Sequence, residues 1–127
     1  MCTEDFNDVA KVRGYHVHIY FKPQADEWQA ERLMEEIVQR FPDAVESASK
    51  IGAIGPHLSS NYAVHIGKEG FAEIVQWLQL NGRGFSILIH PETEDGVKDH
   101  LESAMWLGKQ LGLNQALFDQ FKARKLG

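Results

Sequence analysis

A single cysteine, Cys2, stands in the chain of 127 residues, so no internal disulfide can brace it and a reducing, cytoplasmic setting is expected. Cys2 lies in an N-terminal end expected to be flexible and is not read as a nucleophile. No run approaches the roughly 18 apolar residues that a membrane span requires. The acidic opening, residues 1–9, lacks the apolar core of a secretory signal. Positive charge is also short: 13 Lys and Arg against 18 Asp and Glu give a net charge of −5. That balance argues against a nucleic-acid partner, which would call for a clustered basic surface. The one basic cluster, residues 122–125, is a short tail expected to be solvated. No internal repeat or low-complexity segment is present, which sets aside solenoid and fibrous classes.

What is present suits one globular domain over residues 1–127, with a core of about 14–112. Apolar residues make up 43% and charged residues 24% of the chain, close to ordinary soluble composition. Residues 15–21 set Val17, Ile19 and Phe21 against His16, His18 and Tyr20, the period-two pattern of a strand. Asp26 and Gln29 have capping-box spacing, and Ala30, Leu33, Met34, Ile37, Val38 and Phe41 follow at helical spacing until Pro42. Residues 45–54 read as an edge strand and 58–66 as another, with Tyr62, Val64 and Ile66 alternating. Phe71, Ile74, Val75 and Leu78 give a second helix, and residues 85–90 a short strand halted by Pro91. A third helix is expected over residues 97–111, with an ambiguous tail after it.

The order strand, helix, strand, strand, helix, strand is the α+β, ferredoxin-like βαββαβ arrangement of an antiparallel sheet, here with an additional C-terminal helix. With the first and third strands taken as parallel neighbours and the fourth antiparallel beside the first, His16, His57 and His90 are expected at one end of the sheet. His18 lies one side-chain repeat further along. All would sit on the face opposite the two helices, which this reading leaves uncovered. Imidazole nitrogen suits zinc, iron, copper and nickel, so four gathered histidines, His16, His18, His57 and His90, make a candidate metal site. An uncovered sheet face also suggests a homodimer.

The segments Tyr15-His16-Val17-His18-Ile19-Tyr20-Phe21, Gly55-Pro56-His57, Ile89-His90-Pro91 and Asp99-His100, the last followed by Ala104-Met105-Trp106-Leu107-Gly108, together resemble the DOPA 4,5-dioxygenase family. Characterised members of that family look like non-haem iron, extradiol, ring-opening enzymes. The similarity covers residues 14 to about 112 and matches the family's histidines to His16, His18, His57, His90 and His100. His65 has no counterpart and reads as a surface strand residue. Leu58, Ser59, Ser60 and Asn61 stand where the family has a proline and a more apolar run.

The resemblance implies an Fe(II)-dependent extradiol dioxygenase that opens a catechol, DOPA-like or caffeate-like, with O2. Zinc or another divalent ion is an acceptable occupant of the same donors. Such chemistry leaves about half the metal's shell to substrate and O2, so three protein ligands suffice. His16, His57 and His90, or a set that brings in His18, are the expected ligands, with His18 as acid or base and His100 as a catalytic or orienting residue. Asp99 and Glu102 are rival ligands, read more simply as solvated helix charge. Trp106 is a candidate pocket wall, and Tyr20 and Tyr62 are candidate hydrogen-bond donors to substrate, with plain packing the simpler reading of all three. The alternatives are a non-catalytic metal- or small-ligand-binding domain, and a structural dimerisation module that holds no metal.

Overall fold

The computed structural model describes residues 6–126, with side chains as far as residue 120. Cys2 and the side chains of the basic tail lie outside the described residues. In chain order the main elements are β1 (Gly14–Tyr20), α1 (Glu27–Arg40), β2 (Val45–Ile51), β3 (Asn61–Ile66), α2 (Phe71–Asn81), β4 (Ile87–Glu92), α3 (Gly96–His100), β5 (Met105–Leu107) and α4 (Gln115–Leu126). The five strands form one sheet in the order β2-β3-β1-β4-β5, every neighbour antiparallel. Four of them keep the ferredoxin-like arrangement, and β5 extends it at the β4 edge. No described helix is long and apolar enough to cross a membrane.

One face of the sheet carries α1 and α2. Ala30, Leu33 and Ile37 of α1 and Ile74, Val75 and Leu78 of α2 bury against Val17, Ile19, Ile87 and Ile89, as their helical and strand periods require. Asp26 precedes α1 without capping it, because its Oδ1 accepts the backbone N–H of Lys22 at 2.6 Å. The expected capping box is therefore not formed.

Three expectations are corrected. First, β1 and β3 run antiparallel. A crossover through α1 returns β2 in the direction of β1, and the following reversal turns β3 against both. His57, just before β3, consequently lies near Tyr20 at the far end of β1, while His16 is opposite His90. Second, the helix expected over residues 97–111 is a five-residue helix followed by a strand. The strand ends before Gly108, whose φ of +71 is left-handed and where a Cβ would lie 2.3 Å from the Phe85 carbonyl oxygen, so this segment is pressed onto the backbone before β4. β4 itself runs through Pro91, which is tolerated because β5 pairs only with Ile87–Ile89 and leaves this end of β4 an edge.

Third, the face away from α1 and α2 is covered. Tyr20, Leu88, His18 and His90 are all buried, and the chain's own C-terminal segment supplies the lid. His57 forms a bridge with Leu113, Asn114 N–H donates to the Pro56 carbonyl at 2.8 Å, and Phe118 of α4 is buried. The homodimer expected as the cover of this face loses that ground.

Candidate metal centre

β1 delivers His16, His18 and Tyr20 to the covered face because alternate strand residues share a side. Antiparallel pairing sets His90 across from His16 on one flank and His65 across from it on the other. The loop before β3 adds His57, and α3 adds His100. Two groups result whose ligand atoms all lie within 4.8 Å of one another: His16, His18 and His90, and His18, His57 and His100. His18 belongs to both. His16, His57 and His90 do not form such a group, because the antiparallel β1–β3 pairing separates His57 from His16.

The hydrogen bonds decide which nitrogens face inward. His18 Nδ1–H donates to Asn61 Oδ1 at 2.9 Å, and Asn61 is oriented by its own Nδ2, which donates to the Ser59 carbonyl at 3.3 Å. His90 Nδ1–H donates to the Pro91 carbonyl at 2.9 Å. His100 Nδ1–H donates to the Gly96 carbonyl at 2.7 Å. In each ring the proton is committed at Nδ1, and neutral imidazole then carries a lone pair at Nε2. Such partners fix tautomer and orientation around a metal.

The Nε2 atoms of His18 and His90 stand 3.2 Å apart. Two lone pairs cannot hydrogen-bond to each other, and burial keeps the missing proton away. Desolvation, followed by the neighbouring charge of His57, holds His18 well below the ordinary imidazole range. Desolvation and the charge of His100 push His90 down to about 3. A metal ion reconciles the pair: with metal–nitrogen bonds of about 2.0–2.1 Å, two donors on one ion lie within about 4.2 Å of each other. The residues therefore fit a divalent cation.

His57 differs. Its Nδ1 lies 2.7 Å from the Tyr20 hydroxyl, whose proton is retained because burial raises the phenol well above its usual range. His57 is the one hydrogen-bond partner of that hydroxyl among the described residues, so the hydroxyl donates to Nδ1 and the imidazole proton sits at Nε2. Desolvation, then the charge of His100, lowers His57 to about 4. His16 differs again: its Nε2 meets Glu92 Oε2 at 3.2 Å and its ring stacks on His65 with centroids 3.8 Å apart. Desolvation first, then His65, lowers its pKa.

The remaining candidates separate cleanly. Asp99 is buried, yet its two oxygens accept the backbone N–H and hydroxyl of Thr93 at 2.8 and 2.6 Å; it braces α3 and is not the solvated charge expected. Glu102 is exposed beside Lys98, at 4.0 Å. Tyr62 sits under the helices and donates to Glu31, so it packs in the core away from the histidines. Trp106 stacks on Tyr20 at 5.6 Å between centroids. Asn61, Glu92 and the contact of His65 with His16 were not anticipated. Asn61 opens a strand although strands disfavour that residue, but its full burial beside His18 is visible only in the structure.

The chain matches the Dopa 4,5-dioxygenase family over residues 15–117. It is 32% identical over 125 residues to an "Uncharacterized 21.2 kDa protein" of Botryotinia fuckeliana, covering 90% of this chain and 68% of that one. It is 30% identical over 114 residues to the "DOPA 4,5-dioxygenase" of Amanita muscaria, covering 84% of this chain and only 50% of the Amanita protein. The crystal structure of a "putative dioxygenase" from Nostoc punctiforme superposes with a TM-score of 0.83 at 37% identity, covering 91% of this chain and 99% of that one. With its histidine segments inside the matched region, the chain belongs to the Dopa 4,5-dioxygenase family.

Proposed function

We propose that the chain is a metal-dependent extradiol dioxygenase that opens a catechol ring with O2, with Fe(II) as the metal and a DOPA-like or caffeate-like diphenol as substrate. The observation that carries the reading is the pair of Nε2 lone pairs of His18 and His90 facing each other at 3.2 Å, each ring locked from behind. Family membership and the names of the Amanita and Nostoc relatives support the reaction class.

The favoured ligands are His16, His18 and His90, all on β1 and β4, where strand pairing holds them rigidly. Three ligands leave open positions, as catalysis needs and a closed binding site does not. When bound there, Fe(II) supplies a place where both catechol oxygens and O2 can meet. His18, offered by the sequence both as ligand and as acid or base, is better suited to ligation because it is buried and shared by both groups.

Proton handling then falls to His57 and His100. His57, backed at Nδ1 by the Tyr20 hydroxyl, carries its proton at Nε2 and so can donate to developing negative charge on a substrate oxygen. His100 is only partly buried, and with its Nδ1–H committed to the Gly96 carbonyl its Nε2 is left to accept a hydrogen bond from a substrate hydroxyl.

The test is to load the protein with Fe(II) without air, add a panel of catechols, then admit O2. Oxygen uptake with a new yellow ring-cleavage chromophore is the expected result. A protein that binds Fe(II) stoichiometrically and turns over no catechol in the panel is a metal-binding module instead.

A further inference from the structure

A cleft of about 570 Å³ opens beyond the Tyr20 end of β1. Its walls carry three cations, Lys22, Arg83 and Lys109, against one carboxylate, Asp26. That excess is notable in a chain whose net charge is −5. None of the three cations makes an ion pair among the described residues, so the fold does not use their charge. Asp26 makes no ion pair with the Lys22 ammonium; its Oδ1 accepts the Lys22 backbone N–H, and one carboxylate leaves the three cations in excess.

The backbone that presents these cations is specialised. Arg83 has φ +55, a left-handed conformation uncommon outside glycine, and Gly84 follows at φ +81. Lys109 follows Gly108, whose close approach to the Phe85 carbonyl fixes where that segment leaves the sheet. Phe21 and Phe85 add apolar wall between the charges. Tyr20 links the cleft to the imidazoles, since it lines the one and donates its hydroxyl to His57 of the other.

We infer that this cleft is a carboxylate-binding subsite, in which Lys22, Arg83 and Lys109 hold the acid group of an aromatic or arylalkyl carboxylate. Resting on the catechol-cleaving reading above, it makes the preferred substrate an anionic catechol whose ring lies toward the histidines and whose acid tail reaches the cations. Apolar wall with peripheral cations matches such an amphipathic anion and gives no advantage to a neutral catechol.

Hydrocinnamate, which is no substrate, tests the cleft independently of turnover. Calorimetry with the intact protein should show it binding more tightly than its neutral amide, with the preference shrinking as salt is raised. Exposed charge contacts of this kind predict that Lys22→Met, Arg83→Asn or Lys109→Met each weakens hydrocinnamate about threefold, and the triple variant on the order of tenfold, without weakening the amide comparably. Asn tolerates the left-handed backbone at position 83. In turnover, the same variants should raise KM for dihydrocaffeate relative to KM for methylcatechol. Equal binding of acid and amide by the unmodified protein, or a preference untouched in the triple variant, overturns the subsite. If no catechol is turned over yet the acid preference and its loss are seen, the cleft stands and the reaction assigned to the histidines fails. Inorganic phosphate displacing hydrocinnamate completely at equal concentration would identify a generic anion site and overturn the carboxylate assignment.

Discussion

At the scale of single residues, the candidate centre depends on which ring nitrogen carries the proton, and that depends on partners behind the rings. His90→Gln removes one of the two facing lone pairs and should abolish stoichiometric metal retention, as elemental analysis after dialysis would show. Asn61→Ala leaves every candidate ligand in place but frees His18 to rotate and change tautomer. Loss of such a supporting partner typically costs about 10- to 100-fold in metal affinity. Competition titration against a chelating dye checks this, and an Asn61→Ala protein that binds metal as tightly as the unmodified one would show that Asn61 does not orient His18. The five family histidines were legible because their short segments recur in order along the chain. Asn61 and Glu92 were not, since a polar strand residue gains meaning only when the register says what lies beside it. His65 gains its place in the same way, since only antiparallel β1–β3 pairing brings it against His16.

At the scale of elements, β1, α1 and α2 follow from hydrophobic period, because each helix buries one stripe and β1 alternates apolar residues with imidazoles across the sheet, while β2 stays exposed at its edge with only a loose alternation. The segment after β4 did not follow. Val97, Leu101, Ala104 and Gly108 share a helical spacing, but the helix ends at His100, the three-residue β5 that follows is too short to show a period, and the left-handed backbone of Gly108 closes that strand. Gly108→Ala should therefore destabilise the fold. Backbone strain alone costs about 1–3 kcal/mol, and the clash with the Phe85 carbonyl adds to it. Urea unfolding measures the loss, and an unchanged midpoint would contradict the close approach. Asp99 gives a second test, on α3. Asp99→Asn keeps the side-chain shape but replaces one acceptor with a donor facing Thr93. Leaving such a buried group unmatched costs about 1–3 kcal/mol, and hydrogen exchange should show α3, with His100, loosening first.

At the scale of the whole molecule, the sheet has two unlike interiors: an apolar one under α1 and α2, and an imidazole-rich one under the C-terminal segment. The second makes stability depend on acid. His18, His57 and His90 are buried, and each has its folded-state pKa lowered, first of all by desolvation. The unfolded chain thus binds protons that the folded one refuses, so stability rises with pH in that window. Above about pH 6.5 neither state is protonated at these rings and the dependence is flat. As pH falls below that value, each such ring removes about 1.4 kcal/mol per pH unit until its folded-state value is reached, about 4 for His57 and about 3 for His90. Three rings acting together can exhaust an ordinary domain stability of about 5–15 kcal/mol within a few pH units. Urea unfolding of metal-free protein between about pH 8 and pH 5 should show a plateau followed by a steep fall. A bound divalent ion adds stability by binding only the folded state, and there protons take its nitrogens only as the pH nears their lowered folded-state values. Added metal should therefore raise stability against urea by a similar increment from about pH 8 to about pH 5, laid over the falling metal-free curve. An increment that already vanishes near pH 6 would mean that the ion is held by groups titrating in the ordinary imidazole range and not by these buried rings.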